Sequence, residues 1–263
     1  MSEWPGSVGI VGCGAMGRAM AAGLAAAHEG LGGLMVLADA APEAAAAAVA
    51  ETGGRAGSLA EAGACDVVVL AVKPKDVDGV LRELTPSRRP GTLAVSVVAG
   101  RSLDQLAAGG FGEPAVRTMP NLAVRNGAGV IAVAARGLDG PQRDAVEGLL
   151  RPLGALVELD ESLFGAATAL VGSGPGIVAL LAEGLEEGAV GAGMTRDSAR
   201  AMVTGVLAGT ATLLADGEDP AALRHRVTSP GGTTSAAVRA LDRGAVRAHV
   251  ADAIEAAAER ASA

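Results

Sequence analysis

Residues 8–17 read VGIVGCGAMG: a short apolar run, Val8 to Val11, passes directly into Gly12-Cys13-Gly14-Ala15-Met16-Gly17. Four consecutive apolar residues fit a strand covered on both faces, and the Ala-rich segment Arg18 to Ala27 that follows fits a helix. The turn between them has the spacing G-x-G-x-x-G, in which each glycine has a separate task. Gly12 allows the tight turn, Gly14 lets the backbone approach a pyrophosphate, and Gly17 lets the helix pack closely on the strand. A helix N-terminus next to Ala15 and Met16 then faces the phosphates. This stretch reads as a dinucleotide-binding βα unit.

Working outward, the same alternation continues to about residue 135. β-branched runs at LMVLAD, DVVVLAV, TLAVSVVAG, AVRTMP and GVIAVAA are separated by Ala-rich segments, the rhythm of a parallel sheet flanked by helices. Asp39 closes LMVLAD where a second strand presents a carboxylate to the adenosine ribose; the alternative is a strand-end turn aspartate. A carboxylate there suits NADH, because it repels a 2′-phosphate and Ala40-Ala41-Pro42 supplies no residue to hold one. Val67 to Pro74 runs off a central strand into Lys73-Pro74, at the corner where ligands of open α/β sheets lie. Lys73 is read either as a ligand contact or as a solvated cation.

After about residue 160 the β-branched runs stop and Ala, Leu and Gly recur at helical spacing, so the second half should be all helical. The expected fold is α/β: a Rossmann-type parallel sheet over residues 1–160 and a helical domain over 161–263. The uncharged stretch Ser162 to Ala182 approaches membrane length, but Gly172-Ser173-Gly174-Pro175-Gly176 should break it into two short pieces of a buried helix pair. Pro220 and Pro230-Gly231-Gly232 should divide the rest. Thr228-Ser229-Pro230-Gly231-Gly232-Thr233-Thr234 then opens a further helix with exposed amides and hydroxyls. That is a nest for a carboxylate or phosphate, beyond what an ordinary N-cap needs.

Composition narrows the ligand. The chain has 263 residues, half of them hydrophobic and 19% charged, which excludes disorder. Its aromatic residues are Trp4, Phe111 and Phe164, and its net charge is −8, so neither stacking platforms nor a basic footprint for nucleic acid can be built. Two cysteines, Cys13 and Cys65, are too few for a disulfide framework and fit a reducing cytoplasm. The first residues carry no basic segment before the apolar run, so no signal peptide is expected. His28, His225 and His249 are scattered, and no metal site is expected. Arg88-Arg89 reads as a solvated loop.

Taken together, Gly12 to Gly17, AVKPKDV (71–77), VSVVAG (95–100), MPN (119–121), TALVGSGP (168–175) and HRVTSPGGTT (225–234) resemble the Δ1-pyrroline-5-carboxylate reductases. The resemblance implies reduction of a cyclic imine to L-proline by hydride from NADPH or NADH, with the helical half forming a homodimer and larger rings of dimers. It places coenzyme contacts on the glycine turn, Ser58, Ala71, Val72, Lys73, Pro74, Val97 to Ala99 and Asn121. Substrate contacts fall on Ser229, Gly231, Gly232 and Thr233, and Thr234 hydrogen-bonds the ring nitrogen. Leu122-Ala123, Gly176-Ile177 and Arg226 depart from the family pattern. The alternatives are an imine reductase for another cyclic imino acid and a non-catalytic dinucleotide sensor. Lys73 and Lys75 are the only lysines, so the helical half lacks the lysine proton carrier of the related hydroxyacid dehydrogenases.

Overall fold

The computed structural model describes residues 6–262; Trp4 and the reading of the leader at residues 1–5 lie outside them. Contacts divide the chain into two compact units, residues 6–172 with 257–262, and residues 173–256.

In the first unit, strands β1 (Val8–Val11), β2 (Met35–Ala38), β3 (Arg55–Ala56), β4 (Val67–Leu70), β5 (Leu93–Ser96), β6 (Ala115–Pro120), β7 (Gly129–Arg136) and β8 (Gly154–Glu158) form one sheet of order β3-β2-β1-β4-β5-β6-β7-β8. The six strands from β3 to β6 run parallel, and β1, β2, β4 and β5 are buried along their whole length. This is why their sequences do not alternate: β1, β2 and β4 are apolar throughout, and β5 is apolar up to the buried Ser96. Helices α1 (Ala15–Ala27), α2 (Pro42–Thr52), α3 (Leu59–Gly63), α4 (Val77–Leu84), α5 (Leu103–Ala108) and α6 (Gly140–Leu150) follow in turn, and α7 (Phe164–Ala167) ends the run. Two buried clusters fill the layers, one around Ile10, Met20, Leu24 and Leu37, the other around Leu70, Leu81, Phe111 and Phe164. Each fully buried aliphatic side chain contributes about 1.5–3 kcal/mol.

Three features differ from the sequence reading. β7 pairs antiparallel with β6, because only the short turn around Leu122–Asn126 joins them and a parallel return needs a crossover of a dozen residues or more. β3 and β8 are additional edge strands: β3 is only two exposed residues, and β8 holds a short, largely exposed run, Ala155-Leu156-Val157. Arg88 is not solvated: it lies 5.6 Å over the Phe111 ring, donates to the Thr92 carbonyl at 2.9 Å, and burial pulls its pKa down.

In the second unit, α8 (Ser173–Gly191) and α9 (Arg196–Ala215) pack as a hairpin clamped by Glu186, which meets Arg196 at 2.8 Å and Arg200 at 3.2 Å. α10 (Pro220–Arg226), α11 (Thr233–Arg243) and α12 (Val246–Ser262) follow, residues 257–262 of α12 counting with the first unit, and the breaks at Pro220 and the Pro230 loop are as expected. The expected break at residues 172–176 is absent. Thr168–Gly172 forms a π-helical turn that leads straight into α8, so Glu161–Gly191 is one helical stretch of 31 residues. The wider π turn lies just before Pro175, where a regular helix would drive the proline ring into the carbonyl four residues earlier. Nor is this stretch buried in the chain. It and Arg196–Ala215 are both long and apolar enough to cross a membrane by length and composition, yet only 22% and 6% of their most apolar windows are buried.

Candidate active site

The strand order reverses direction between β1 and β4, and ligands of such sheets lie beyond the strand ends at that switch point. Val11 is in register with Leu70 and Ala38, so Gly12 sits between the ends of both neighbours: it donates to the Ala38 carbonyl at 2.8 Å, and Ala71 donates to the Val11 carbonyl at 2.7 Å. Gly12 has φ +97°, and a Cβ there would lie 2.6 Å from the Ala71 oxygen. A Cβ on Gly17 would lie 1.8 Å from the Gly12 oxygen, so α1 and β1 touch backbone to backbone. Gly14 differs. Nothing lies within 4 Å of its Cβ position, it is the N-cap of α1, and no side chain caps that helix. The N–H groups of Ala15 and Met16 therefore open onto space beside a helix dipole, which fits the pyrophosphate of a dinucleotide.

The other sequence-derived coenzyme positions fall along the same edge. Asp39 follows β2; Ala71, Val72, Lys73 and Pro74 follow β4; Val97 and Ala99 follow β5; and Asn121 follows β6. At about 4.8 Å per strand, these five adjacent strand ends make a row about 19 Å long. Lys73 and Pro74 are exposed at the head of a short 3-10 turn. Val97 is buried and donates its N–H to Leu70 at 3.0 Å, whereas Ala99 is exposed. The Asn121 amide oxygen accepts from Val130 N–H at 3.4 Å. Ser58 is on this edge too, past β3, but its hydroxyl serves a capping box: it accepts from Glu61 N–H and donates to Glu61 Oε2 at 2.9 Å.

Asp39 has a second task that the spacing did not disclose. Its Oδ2 accepts Cys13 N–H at 2.6 Å and its Oδ1 accepts Ala41 N–H at 2.8 Å, which ties the glycine turn to the end of β2. Beside it the Cys13 thiol is pushed up to about 11, first by burial and then by the Asp39 charge, so it is no nucleophile at neutral pH. Arg101 also escaped the sequence reading. It donates to the Pro74 carbonyl at 3.2 Å and pairs with Asp78 at 2.9 Å, bracing the loop after β4 from the loop after β5. Its position right after VSVVAG was the available signal. Arg117 is a third: it lies 4.5 Å over the Phe164 ring and meets Glu161 at 2.9 Å, while Glu161 also accepts Leu103 N–H at 2.7 Å.

In the second unit, Ser229, Pro230, Gly231, Gly232, Thr233 and Thr234 form the entry to α11. Gly232 is the N-cap, no side chain caps the helix, and a Cβ there would lie 2.3 Å from Ser229 Oγ. The first amides of an eleven-residue helix thus stand beside the hydroxyls of Ser229, Thr233 and Thr234, with Ser229 and Thr233 exposed and Thr234 half-buried. This arrangement suits a carboxylate. Arg226 does not add a free charge to it, because its guanidinium meets Glu218 at 2.6 Å.

Comparison with known proteins agrees with both halves. Residues 161–263 match the family model for pyrroline-5-carboxylate reductase dimerisation, and residues 7–100 match the model for NADP oxidoreductase, coenzyme F420-dependent. The pyrroline-5-carboxylate reductase of Escherichia coli is 35% identical over 94% of both chains, and that of a Synechocystis strain is 38% identical over 74% of this chain and 73% of its own. The crystal structure of Plasmodium falciparum pyrroline carboxylate reductase with NADP bound superposes with a TM-score of 0.89 at 25% identity, covering 99% of this chain and 98% of that one. The turn, the strand ends and the helix entry are those of a chain that belongs to the pyrroline-5-carboxylate reductase family.

Proposed function

We propose that this protein reduces Δ1-pyrroline-5-carboxylate to L-proline with a reduced nicotinamide dinucleotide. The single observation that carries the reading is the glycine turn: Gly12 and Gly17 are packed against backbone, Gly14 is open, and the uncapped amides beside it face outward in a chain of this family. The coenzyme, when bound, supplies the hydride. Gly12, Gly14, Ala15, Met16 and Gly17 hold its pyrophosphate, Asp39 its adenosine ribose, and Ala71 to Pro74, Val97, Ala99 and Asn121 its remaining length. Ser58, being committed to its capping box, serves by shaping the edge.

The amides of Gly231, Gly232 and Thr233 with the Ser229 hydroxyl take the substrate carboxylate, and the Thr234 hydroxyl accepts a hydrogen bond from the iminium N–H. The imine enters protonated at nitrogen, so hydride adds to carbon as the C=N π electrons pass to nitrogen, yielding a neutral secondary amine. No side chain has to donate a proton in that step, which suits a pocket of amides and hydroxyls without lysine. Orientation then supplies most of the rate.

The same reading divides the chain at residues 160 and 161, assigns the helical part to a homodimer and larger rings of dimers, and places the enzyme in the cytoplasm, away from membranes and nucleic acid. The family match of residues 161–263 and the two free buried cysteines support it. The test is coenzyme oxidation with pyrroline-5-carboxylate and other cyclic imino acids. The Thr234→Ala variant should lose about 10–100-fold in kcat, the worth of one hydrogen bond to a charged group, with coenzyme affinity unchanged. A silent assay with normal coenzyme binding would favour a sensor, and a faster turnover on another imino acid would reassign the substrate.

A further inference from the structure

We propose that this chain takes NADH in preference to NADPH, and that Asp39 sets the choice; the proposal rests on the coenzyme reading above. Asp39 stands at the one strand end, that of β2, where the adenosine ribose of a dinucleotide lies beside the glycine turn. Its carboxylate is fixed in place. Both oxygens accept backbone N–H groups, from Cys13 at 2.6 Å and from Ala41 at 2.8 Å, so the group cannot swing aside without leaving two amides unpartnered. Each oxygen keeps a second lone pair, which suits the 2′- and 3′-hydroxyls of an unmodified ribose as donors. A 2′-phosphate carries no donor at neutral pH beyond its partial protonation and brings up to two negative charges against that anchored anion.

The surroundings add nothing to compensate. Ala40, Ala41 and Pro42 have no polar side chain, and Glu43, in the first turn of α2, adds a further negative charge. The arginines on the elements flanking β2 are Arg18 on α1 and Arg55 on β3. Arg18 is paired with Glu51, which also holds Arg125 at 3.0 Å, and Arg55 is paired with Glu61 at 2.6 Å. Lys73 lies past the end of β4, which is on the far side of β1 from β2. A phosphate beside Asp39 would therefore have to break an existing ion pair to find a cation.

The experiment is direct binding of NADH and NADPH to the purified protein without substrate, by calorimetry or nicotinamide fluorescence, at low and at about 1 M salt. The wild-type protein should bind NADH at least about tenfold more tightly, the scale of one close like-charge contact, and the gap should narrow at high salt as the repulsion is screened. Asp39→Asn keeps an oxygen for Cys13 N–H and removes the charge, so it should narrow the gap about tenfold, mainly by tighter NADPH. Equal or tighter binding of NADPH by the wild type overturns the preference. A folded Asp39→Asn with an unchanged ratio overturns the role of Asp39. If Asp39→Asn does not fold, the wild-type ratio and its salt dependence decide. If neither coenzyme binds, the coenzyme reading itself fails, and the two failures are thereby distinct.

Discussion

The two halves of this chain solve the burial of apolar surface in opposite ways. In the first unit the strands are sealed: Ile10, Val67, Val69 and Leu70 have no exposed surface, and helices cover the sheet. In the second, Leu180 is 67% exposed, Val206 60% and Met202 56%, and the large side chains of α8 and α9 face outward in the single chain. A helix that leaves such a stripe uncovered draws its stability from another surface, since helical propensity alone is marginal. The first unit thus covers its own apolar surface, while the second, most of it within the residues that match a dimerisation model, leaves large apolar side chains open.

The largest effect expected follows from that contrast. Replacing Leu180 and Val206 by Glu places charges in what we propose to be the dimer interface, and the protein should become monomeric or aggregate, losing reductase activity almost entirely. Coenzyme binding should survive. Sedimentation together with coenzyme titration checks both; a dimer that persists with full activity would show that these faces are not the interface. The matching change in the first unit, Leu70→Ala, should instead cost about 2–5 kcal/mol of stability and leave the oligomer intact in the folded fraction.

A smaller effect separates structure from ligand contact inside the glycine turn. Gly12→Ala forces a Cβ to 2.6 Å from the Ala71 oxygen at a positive φ, so the turn must move, and both thermal stability and coenzyme affinity should fall. Gly14→Ala meets no protein atom within 4 Å. Its melting temperature should stay the same, while coenzyme affinity drops at least about tenfold as the methyl group holds the pyrophosphate off the amides. Equal affinity for Gly14→Ala and wild type would mean that the dinucleotide does not approach there.

Much of this was legible in advance, and the parts that were not have a common cause. Strands β1, β2 and β4 announced themselves because burial on both faces demands unbroken apolar runs, and the glycine turn because its glycines stand at fixed spacing. Interactions that depend on side chains meeting across the fold left no such trace. Arg88 over Phe111 and Arg117 on Glu161 are each an arginine like any other along the chain. Local rules also misled where tertiary structure overrides them: Pro175 with its glycines looks like a break, but a π turn absorbs it. The stretch Ser162 to Ala182 read as a buried helix pair, yet most of it is open in this chain, because composition cannot tell a covered apolar face from an uncovered one.

The smallest effect tests how the first unit responds to acid. Glu61 is held down to about 2 from an ordinary 4.5, first by the Ser58 backbone N–H, then by Arg55 and the Ser58 hydroxyl. Because its folded pKa is depressed, its contribution to stability is complete above about 4.5 and is lost as pH falls from there toward 2. Glu61→Gln retains an acceptor for Ser58 N–H but cannot titrate. Across that window its stability should therefore fall less steeply than that of the wild type, and the two curves should run parallel at neutral pH. Urea unfolding from pH 2 to 7 measures the slopes, and identical slopes would mean that the capping box at the start of α3 is as well satisfied in the unfolded chain as in the folded one.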